Sequence, residues 1–176
     1  MGDTFQNPQV AVATLPHISN IDYQRLHKEY LSTQILGTSL FWGVAIIGAL
    51  GWTIFNRAIY PSWINYAGLL LLLVLAGLSY IFDFALYRRA GYALREHDVI
   101  YREGWLWRKV TVVPFNRIQH AEVTEGPIDR LFGLSRLHIY TAGGSSSDLT
   151  VPGIRPDEGE RMKYYILNKT SIDEEE

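Results

Sequence analysis

The stretch TAGGSSSD, from Thr141 to Asp148, contains the residue types that could hold a phosphate group. Glycine-rich phosphate loops lie between a strand and the N-terminus of a helix, whose backbone N–H groups face the anion. Here the following residues, LTV, have strand-forming side chains, and the chain contains no GKS or GKT sequence. The pattern therefore favours a hairpin turn, with Gly143 and Gly144 at positive-φ positions, over the alternative of a phosphate site.

No other residues have the spacing of a catalytic or metal site. The five histidines include no HxxxH or HExxH pair, the chain has no cysteine, and no serine lies in a GxSxG sequence. No candidate is left for zinc binding or nucleophilic catalysis. The formal net charge of -2 argues against nucleic acid as a partner. We therefore expect a protein that is not an enzyme, with no cofactor, no metal and no small-molecule substrate.

The first half of the chain contains two long apolar segments. No charged residue occurs in residues 30–56 or 58–82, and the expected membrane spans are residues 35–55 and 63–86. A helix of 21 residues is about 31 Å long, which matches a hydrocarbon core of about 30 Å. We therefore predict a transmembrane helical hairpin over residues 34–87, rather than two buried helices of a soluble core.

The lysines and arginines beside the spans predict their orientation. Arg25, Lys28, Arg88 and Arg89 flank one side of the hairpin, whereas the loop between the spans carries Arg57 alone. Because cytoplasmic loops are enriched in these residues, both termini should be cytoplasmic. The expected location is the cell membrane (inner or plasma), as a multi-pass protein.

The segment before the spans, residues 1–33, should then be cytosolic. Tyr23, Leu26 and Tyr30 have helical spacing, which predicts a short amphipathic helix capped by Asn20 or Ser19.

Two features inside the hairpin concern its packing and chemistry. The pairs Ser39/Gly43 and Ala45/Ala49 have small-xxx-small spacing, which predicts close packing of the two spans. Asp83 is an acidic residue near the end of the second span. The nearby arginines favour a solvated or arginine-paired aspartate at the membrane interface; a proton or ion relay is the alternative.

From residue 88 the apolar side chains follow a period of two, as half-buried strands do. Pro127 and Gly133 bound a short helical turn, and Pro156 opens an amphipathic helix that precedes the acidic tail, residues 171–176. Residues 88–170 should therefore form six or seven antiparallel strands capped by one helix. One strand should carry Trp105 and Trp107 on a single face, as core or oligomer contacts.

Within this half, VPFNRIQHAEVTEGPIDRLFGLSRLHIYTAGG contains a Pro-x-x-Arg-Ile-Gln sequence, an Arg-Leu-Phe-Gly-Leu turn and a strand ending in Thr-Ala-Gly. These motifs resemble bacterial pleckstrin-homology (PH) domains of the second type, DUF304. With the two preceding spans, the chain resembles the small YdbS-type membrane proteins over residues 31–170. The resemblance implies a bent antiparallel sheet or barrel with a C-terminal capping helix, no catalytic residues, and a scaffold role beside a larger protein with repeated copies of the domain.

The motif residues have structural interpretations. Pro114 should end a strand, Ile118 should be core, and Gly133 should lie in a turn. Arg117 and Arg130 should brace loops, Arg130 through Glu122 or Glu125, with a partner or lipid surface as the alternative. The remaining motif positions are Gln119, Thr141 and Gly143.

We expect a membrane-anchored scaffold or interaction protein that associates with itself or with a related PH-domain membrane protein, and with the lipid bilayer. The first hairpin of the domain, REHD at residues 95–98, lacks the clustered basic residues of a phosphoinositide site. Sensing of anionic lipid, or a role as a subunit of an oligomeric pore or transport assembly, stays open as an alternative. The candidate interaction surface comprises Arg102, Trp105, Trp107, Arg108 and Lys109.

Overall fold

Two helices of 28 residues each form a hairpin, α1 (Lys28–Phe55) and α2 (Ser62–Arg89). The computed structural model describes residues 21–56, 62–142 and 149–173. Each helix is about 42 Å long, more than a bilayer core of about 30 Å, and both are apolar enough to cross a membrane. They extend beyond the predicted spans mainly at the ends that adjoin the β-domain.

Polar side chains join α1 to α2 along one stripe of each helix. Three hydrogen bonds form it: Thr38 Oγ1 to the Asp83 carboxylate (2.6 Å), Ser39 Oγ with the Tyr80 hydroxyl (2.9 Å), and Trp42 Nε1 to Ser79 Oγ (3.1 Å). Hydrogen bonds of this kind contribute to helix association in membranes, where burial of apolar surface supplies little.

This interface differs from the predicted one in two respects. Asp83 lies in the contact between the helices, with Thr38 rather than an arginine as its hydrogen-bond partner. At Gly43, no atom lies within 4 Å of where a Cβ would be, so the predicted close approach of small residues is wrong there. Hydroxyl, indole and carboxylate groups hold this part of the helix pair together, because each of them forms a hydrogen bond with a side chain of the other helix.

The residues ahead of α1 form a strand instead of the predicted amphipathic helix. β1 (Gln24–Arg25) pairs antiparallel with β2 (Gly91–Leu94), with Gln24 opposite Tyr92. Leu26 then enters the core. Pairing with β1 satisfies backbone groups at the edge of β2, and this gain outweighs the helical spacing of the side chains. Residues 1–20, including both predicted caps, lie outside the described residues.

The rest of the domain consists of two antiparallel sheets, as the period-two pattern predicted. β1, β2, β3 (Asp98–Glu103) and β4 (Lys109–Pro114) form the first sheet in that order. β5 (Ile118–Thr124), β6 (Ser135–Thr141) and β7 (Leu149–Ile154) form the second sheet. A 3₁₀ turn, Phe115–Arg117, connects the two sheets.

Two helices complete the domain. α3 (Pro127–Leu131) begins at a proline as predicted, and Gly133, with φ of 62°, follows it. α4 (Pro156–Asp173) inserts Met162 and Ile166 into the core formed by both sheets. α4 continues into the predicted acidic tail as far as Asp173.

Trp105 and Trp107 do not lie in a strand, which corrects the sequence-based expectation. β3 ends at Glu103 and β4 begins at Lys109, so both tryptophans belong to the connecting tip. Gly104 has φ of 91°, and a Cβ there would lie 1.8 Å from the Trp107 carbonyl oxygen. Glycine permits this turn because it has no Cβ and tolerates positive φ.

Candidate membrane-facing surface

The hairpin tip, which we define as residues 104–108, rests against α2. The ring of Trp105 contacts the ring of Phe82 edge-on, with 6.1 Å between the centroids. Phe82 precedes Arg89, the last residue of α2, by seven positions, which corresponds to about 10 Å along the helix axis. The tip therefore lies beside the apolar part of α2, beyond its terminal arginines.

The hairpin tip exposes three large apolar side chains in a row. The exposed fractions are 44% for Trp105, 63% for Leu106 and 80% for Trp107. These tryptophans are therefore not core residues, contrary to one of the two predicted roles. Amphipathic tryptophan rings are enriched where proteins meet the membrane interface. The predicted interaction surface did not include Leu106, although the run Trp-Leu-Trp was a readable signal.

Four arginines line a groove beside the hairpin tip, which we call the arginine groove. Arg88 and Arg89 come from the end of α2, Arg102 from β3 and Arg108 from the tip. The groove has a volume of about 320 Å³, and Glu103 is the acidic residue that also lines it. Its lining is therefore strongly positive, and all four arginine side chains are exposed.

Arg102 is held in place by uncharged partners. Its Nε donates a hydrogen bond of 3.1 Å to the Arg89 carbonyl oxygen. Its guanidinium lies 4.2 Å from the centroid of the Tyr23 ring, a distance at which cation and ring attract. These contacts orient the guanidinium without neutralising its charge, so the groove keeps its positive potential.

Lys109, the fifth predicted surface residue, lies in a neighbouring cavity. Its Nζ is 3.9 Å from the Glu103 carboxylate. The cavity has a volume of about 430 Å³ and extends towards Tyr30 and Gln34 of α1. The structure thus divides the predicted surface: Arg102 and Arg108 line the arginine groove, the tryptophans occupy the hairpin tip, and Lys109 faces the start of α1.

The family-motif residues mostly occupy structural positions. Pro114 is the last residue of β4, and Ile118 is buried in the core. Arg130 Nε lies 3.7 Å from the Glu125 carboxylate, one of its two predicted partners. Arg117 and Gln119 are exposed.

The glycine- and serine-rich stretch is only partly described. Thr141 ends β6, whereas Gly143 and the rest of residues 143–148 lie outside the described residues. The strands that this stretch joins, β6 and β7, are antiparallel neighbours. A hairpin turn was predicted between two such strands. Because residues 143–148 are not described, the turn itself stays a prediction.

Sequence reasoning missed an ion pair between a buried aspartate and a half-exposed arginine. Asp129 in α3 is 2% exposed, and its carboxylate accepts hydrogen bonds from Arg136 Nε at 2.7 Å and Nη2 at 3.3 Å. The hydrogen bond and the charge of Asp129 raise the pKa of Arg136 further above its ordinary value. An aspartate seven positions before an arginine is not a distinctive sequence signal, because the turn between them decides whether they meet.

A second polar cluster links α4 to β2 and to the residue before α1. Glu158 accepts a hydrogen bond from the Tyr92 hydroxyl and lies 3.1 Å from His27 Nε2. Burial acts to raise the pKa of Glu158, but the hydrogen bonds from Tyr92, His27 and the Arg155 N–H outweigh it and lower the pKa below 4.5. Burial and the bond to Glu158 raise the pKa of Tyr92.

Metal binding finds no support in the ranges 21–56, 62–142 and 149–173. No three His, Asp or Glu side chains come together there as a set of metal ligands.

Comparison with known proteins agrees with this architecture. The family described as Bacterial PH domain matches residues 34–170. The chain is 29% identical over 84 residues to the UPF0699 transmembrane protein YdbT of Bacillus subtilis (strain 168), which is 47% of this chain and 17% of YdbT. It is 24% identical over 85 residues to the UPF0699 transmembrane protein YdbS of the same organism, which is 48% of this chain and 52% of YdbS.

The chain thus matches about half of YdbS and a smaller part of YdbT, and no solved structure matches it. The predicted resemblance is confirmed, as is the predicted fold: a hairpin of two long apolar helices followed by a PH-like β-domain with a C-terminal helix. It is a membrane protein, and the chain belongs to the bacterial PH domain family.

Proposed function

We propose that this protein is a membrane-anchored, non-enzymatic scaffold that presents its PH-like domain at the cytoplasmic face of the cell membrane. Its partner is a second copy of the chain or a related PH-domain membrane protein. The observation that carries the proposal is the outer strand of the first sheet. In the part of the chain that the structure describes, β4 pairs with β3 alone, and it exposes Val110 and Val112 at 41% and 44%.

The free edge of β4 suits strand pairing with another chain. An unpaired edge presents backbone N–H and C=O groups that an added strand can bind. Val110 and Val112 are two positions apart, so their side chains point to the same face of the sheet and add an apolar contact.

The membrane tether strengthens such pairing. α2 ends at Arg89 and β2 begins at Gly91, so one residue separates the membrane helix from the domain. This short connection keeps the edge of β4 near the membrane plane. Effective concentrations between tethered partners reach about the millimolar range, at which weak contacts suffice.

The proposed orientation places both termini in the cytoplasm. Lys28 opens α1, and Arg88 with Arg89 closes α2, so the basic residues lie at the helix ends that adjoin the domain. The positive-inside rule favours the cytoplasm for these ends.

Single-cysteine variants test the orientation cleanly because the chain has no cysteine of its own. In intact cells, Ser62→Cys at the start of α2 should react with a membrane-impermeant maleimide. Glu160→Cys, on the exposed side of α4, should react only after the cells are permeabilised. The reverse pattern would contradict the proposed orientation.

A charge on the edge of β4 tests the partner. Val112→Lys should block strand pairing, because an edge lysine disfavours addition of another strand. Tyr164→Lys adds the same charge at an exposed site on α4 and serves as the control. From native membranes, tagged wild type and Tyr164→Lys should co-purify an untagged copy or another PH-domain membrane protein, and Val112→Lys should not. A wild-type protein that purifies as a monomer without a partner would refute the scaffold.

A further inference from the structure

We propose that the arginine groove binds the phosphate of an anionic phospholipid headgroup while the hairpin tip enters the membrane interface. Arg88, Arg102 and Arg108 supply the charge. The apolar side chains of the hairpin tip, Trp105, Leu106 and Trp107, supply the membrane contact. The site adds a lipid ligand to the proposed scaffold, and it rests on that proposal only in requiring that α2 crosses the membrane.

The contact of the hairpin tip with α2 indicates how deep the tip lies in the membrane. Trp105 packs on Phe82, which lies seven positions before the final arginine of α2 and hence about 10 Å nearer the bilayer centre. Arginines at the end of a spanning helix extend to the headgroup level. A side chain packed on Phe82 therefore lies where the headgroups meet the acyl chains.

The composition of the tip agrees with this depth. Leu106 and Trp107 are 63% and 80% exposed. In water these side chains would present an apolar surface, whereas at the membrane interface the same surface is removed from water. Arg108 and Lys109 follow directly, so the basic residues lie beside the apolar tip, as in other membrane-surface segments.

The charge of the arginine groove selects the ligand. Its four arginines outnumber the single acidic residue, Glu103, that lines it. Guanidinium groups bind phosphate oxygens through paired N–H donors, and basic residues near the membrane favour anionic lipids. The volume of about 320 Å³ is within the range of small-molecule sites and exceeds what one inorganic ion needs.

A lipid fits this arrangement better than a free phosphate compound. The groove is lined by the end of α2 and by Gly104 and Arg108 of the hairpin tip, so the acyl chains of a lipid bound there can extend along α2, where Trp105 contacts Phe82. A free phosphate would contact only the arginines. The first hairpin is no competing site, because Arg95 Nε already donates to the Asp98 carboxylate at 2.7 Å.

Native mass spectrometry of the delipidated full-length protein tests the ligand. Phosphatidylglycerol, phosphatidylcholine and inorganic phosphate are titrated separately. The test variant is Arg88→Gln/Arg108→Gln, since Arg102 also braces the Arg89 carbonyl and is left unchanged. The control, Arg161→Gln/Lys163→Gln, removes the same charge from α4. Wild type and control should bind phosphatidylglycerol more tightly than phosphatidylcholine. In the test variant the ratio of the two affinities should fall about fivefold for each arginine removed.

The outcomes separate the sources of phosphate. An unchanged preference in Arg88→Gln/Arg108→Gln would overturn the site, provided that circular dichroism shows a folded domain. Inorganic phosphate that binds as tightly as phosphatidylglycerol would overturn the lipid assignment. Neither measurement involves Val112 or a protein partner, so failure of the lipid site and failure of the scaffold are distinguishable.

A spin label measures the depth independently. Leu106→Cys and, as the control, Tyr164→Cys are labelled in vesicles of phosphatidylglycerol and phosphatidylcholine. At position 106, collisions with oxygen should exceed collisions with a water-soluble nickel complex, and at position 164 the order should reverse. Greater nickel access at position 106 would place the tip in water and refute its insertion.

Discussion

Tyr30, near the start of α1, packs directly on the backbone of Gly153 in β7. A Cβ built on Gly153 would lie 2.6 Å from Tyr30 Cγ and 2.7 Å from Tyr30 Cβ, and the residue has φ of 66°. The N–H of His27 also donates a hydrogen bond of 3.0 Å to the Gly153 carbonyl oxygen. Together these contacts dock the beginning of the membrane helix onto the second sheet.

Gly153→Ala should destabilise the protein by about 3 kcal/mol, because it combines an unfavourable positive φ with displacement of Tyr30. Gly133→Ala is the matched control. Gly133 has φ of 62° but no atom within 4 Å of its Cβ position, so only the backbone term applies, about 1 kcal/mol. Unfolding in detergent measures both variants, and equal losses would contradict a steric role for Tyr30.

Arg136→Gln should cost about 2 kcal/mol of stability, because Arg136, itself half-exposed, donates the charged hydrogen bonds that the buried Asp129 carboxylate accepts. Arg130→Gln is the control, since its ion pair with Glu125 is solvent-exposed and 3.7 Å long and should contribute about 0.5 kcal/mol. Adding Asp129→Asn to Arg136→Gln should recover part of the loss, because no buried charge then remains. A similar small effect for both arginine variants would contradict a stabilising role for the Asp129–Arg136 pair.

Glu158 should make stability depend on pH on the acidic side. Since its pKa is lowered from 4.5 in the folded protein, its ionised form favours folding. That contribution is present at pH values above the ordinary glutamate pKa and is lost as the pH falls through the lowered folded-state pKa. At neutral pH the free energy of unfolding of the wild type should exceed that of Glu158→Gln by about 1 kcal/mol. This difference should become smaller at acidic pH.

Tyr92→Phe provides the companion test, because it removes one hydrogen bond that lowers the pKa of Glu158. Thermal unfolding from neutral pH into the acidic range measures wild type, Glu158→Gln, Tyr92→Phe and the double variant Tyr92→Phe/Glu158→Gln. The stabilisation by Glu158 should be smaller in the Tyr92→Phe background at neutral pH. A difference between wild type and Glu158→Gln that does not change with pH would contradict the prediction.

The Thr38–Asp83 hydrogen bond should couple the two membrane helices. A double-mutant cycle with Thr38→Ala and Asp83→Ala should give a coupling of about 0.6 kcal/mol, and no more than about 1.7 kcal/mol. Thr53→Ala replaces Thr38→Ala in the control cycle, because the Thr53 hydroxyl bonds to the carbonyl of its own helix at Leu50. Unfolding in mixed micelles measures the coupling, which should be zero in the control cycle.

Composition and periodicity alone predicted the broad architecture. Two apolar segments of bilayer length indicate the helical hairpin, because the hydrocarbon thickness sets the length that a helix needs. Alternation of apolar residues indicates the strands, because one face of each strand is buried. Pro127 and Gly133 marked a turn for local reasons that require no knowledge of distant residues.

The candidate sites depended on tertiary structure. Sequence reasoning named Arg102 and Arg108 but could not join them to Arg88, because the groove forms only where the β3–β4 hairpin leans on α2. It placed the tryptophans in a strand, since periodicity reports alternation and not where Gly104 reverses the chain. β1 and the Asp129–Arg136 pair were missed for the same physical reason. A side-chain pattern indicates which residues avoid water, whereas the neighbour that each residue meets is decided by how elements distant in the chain pack together.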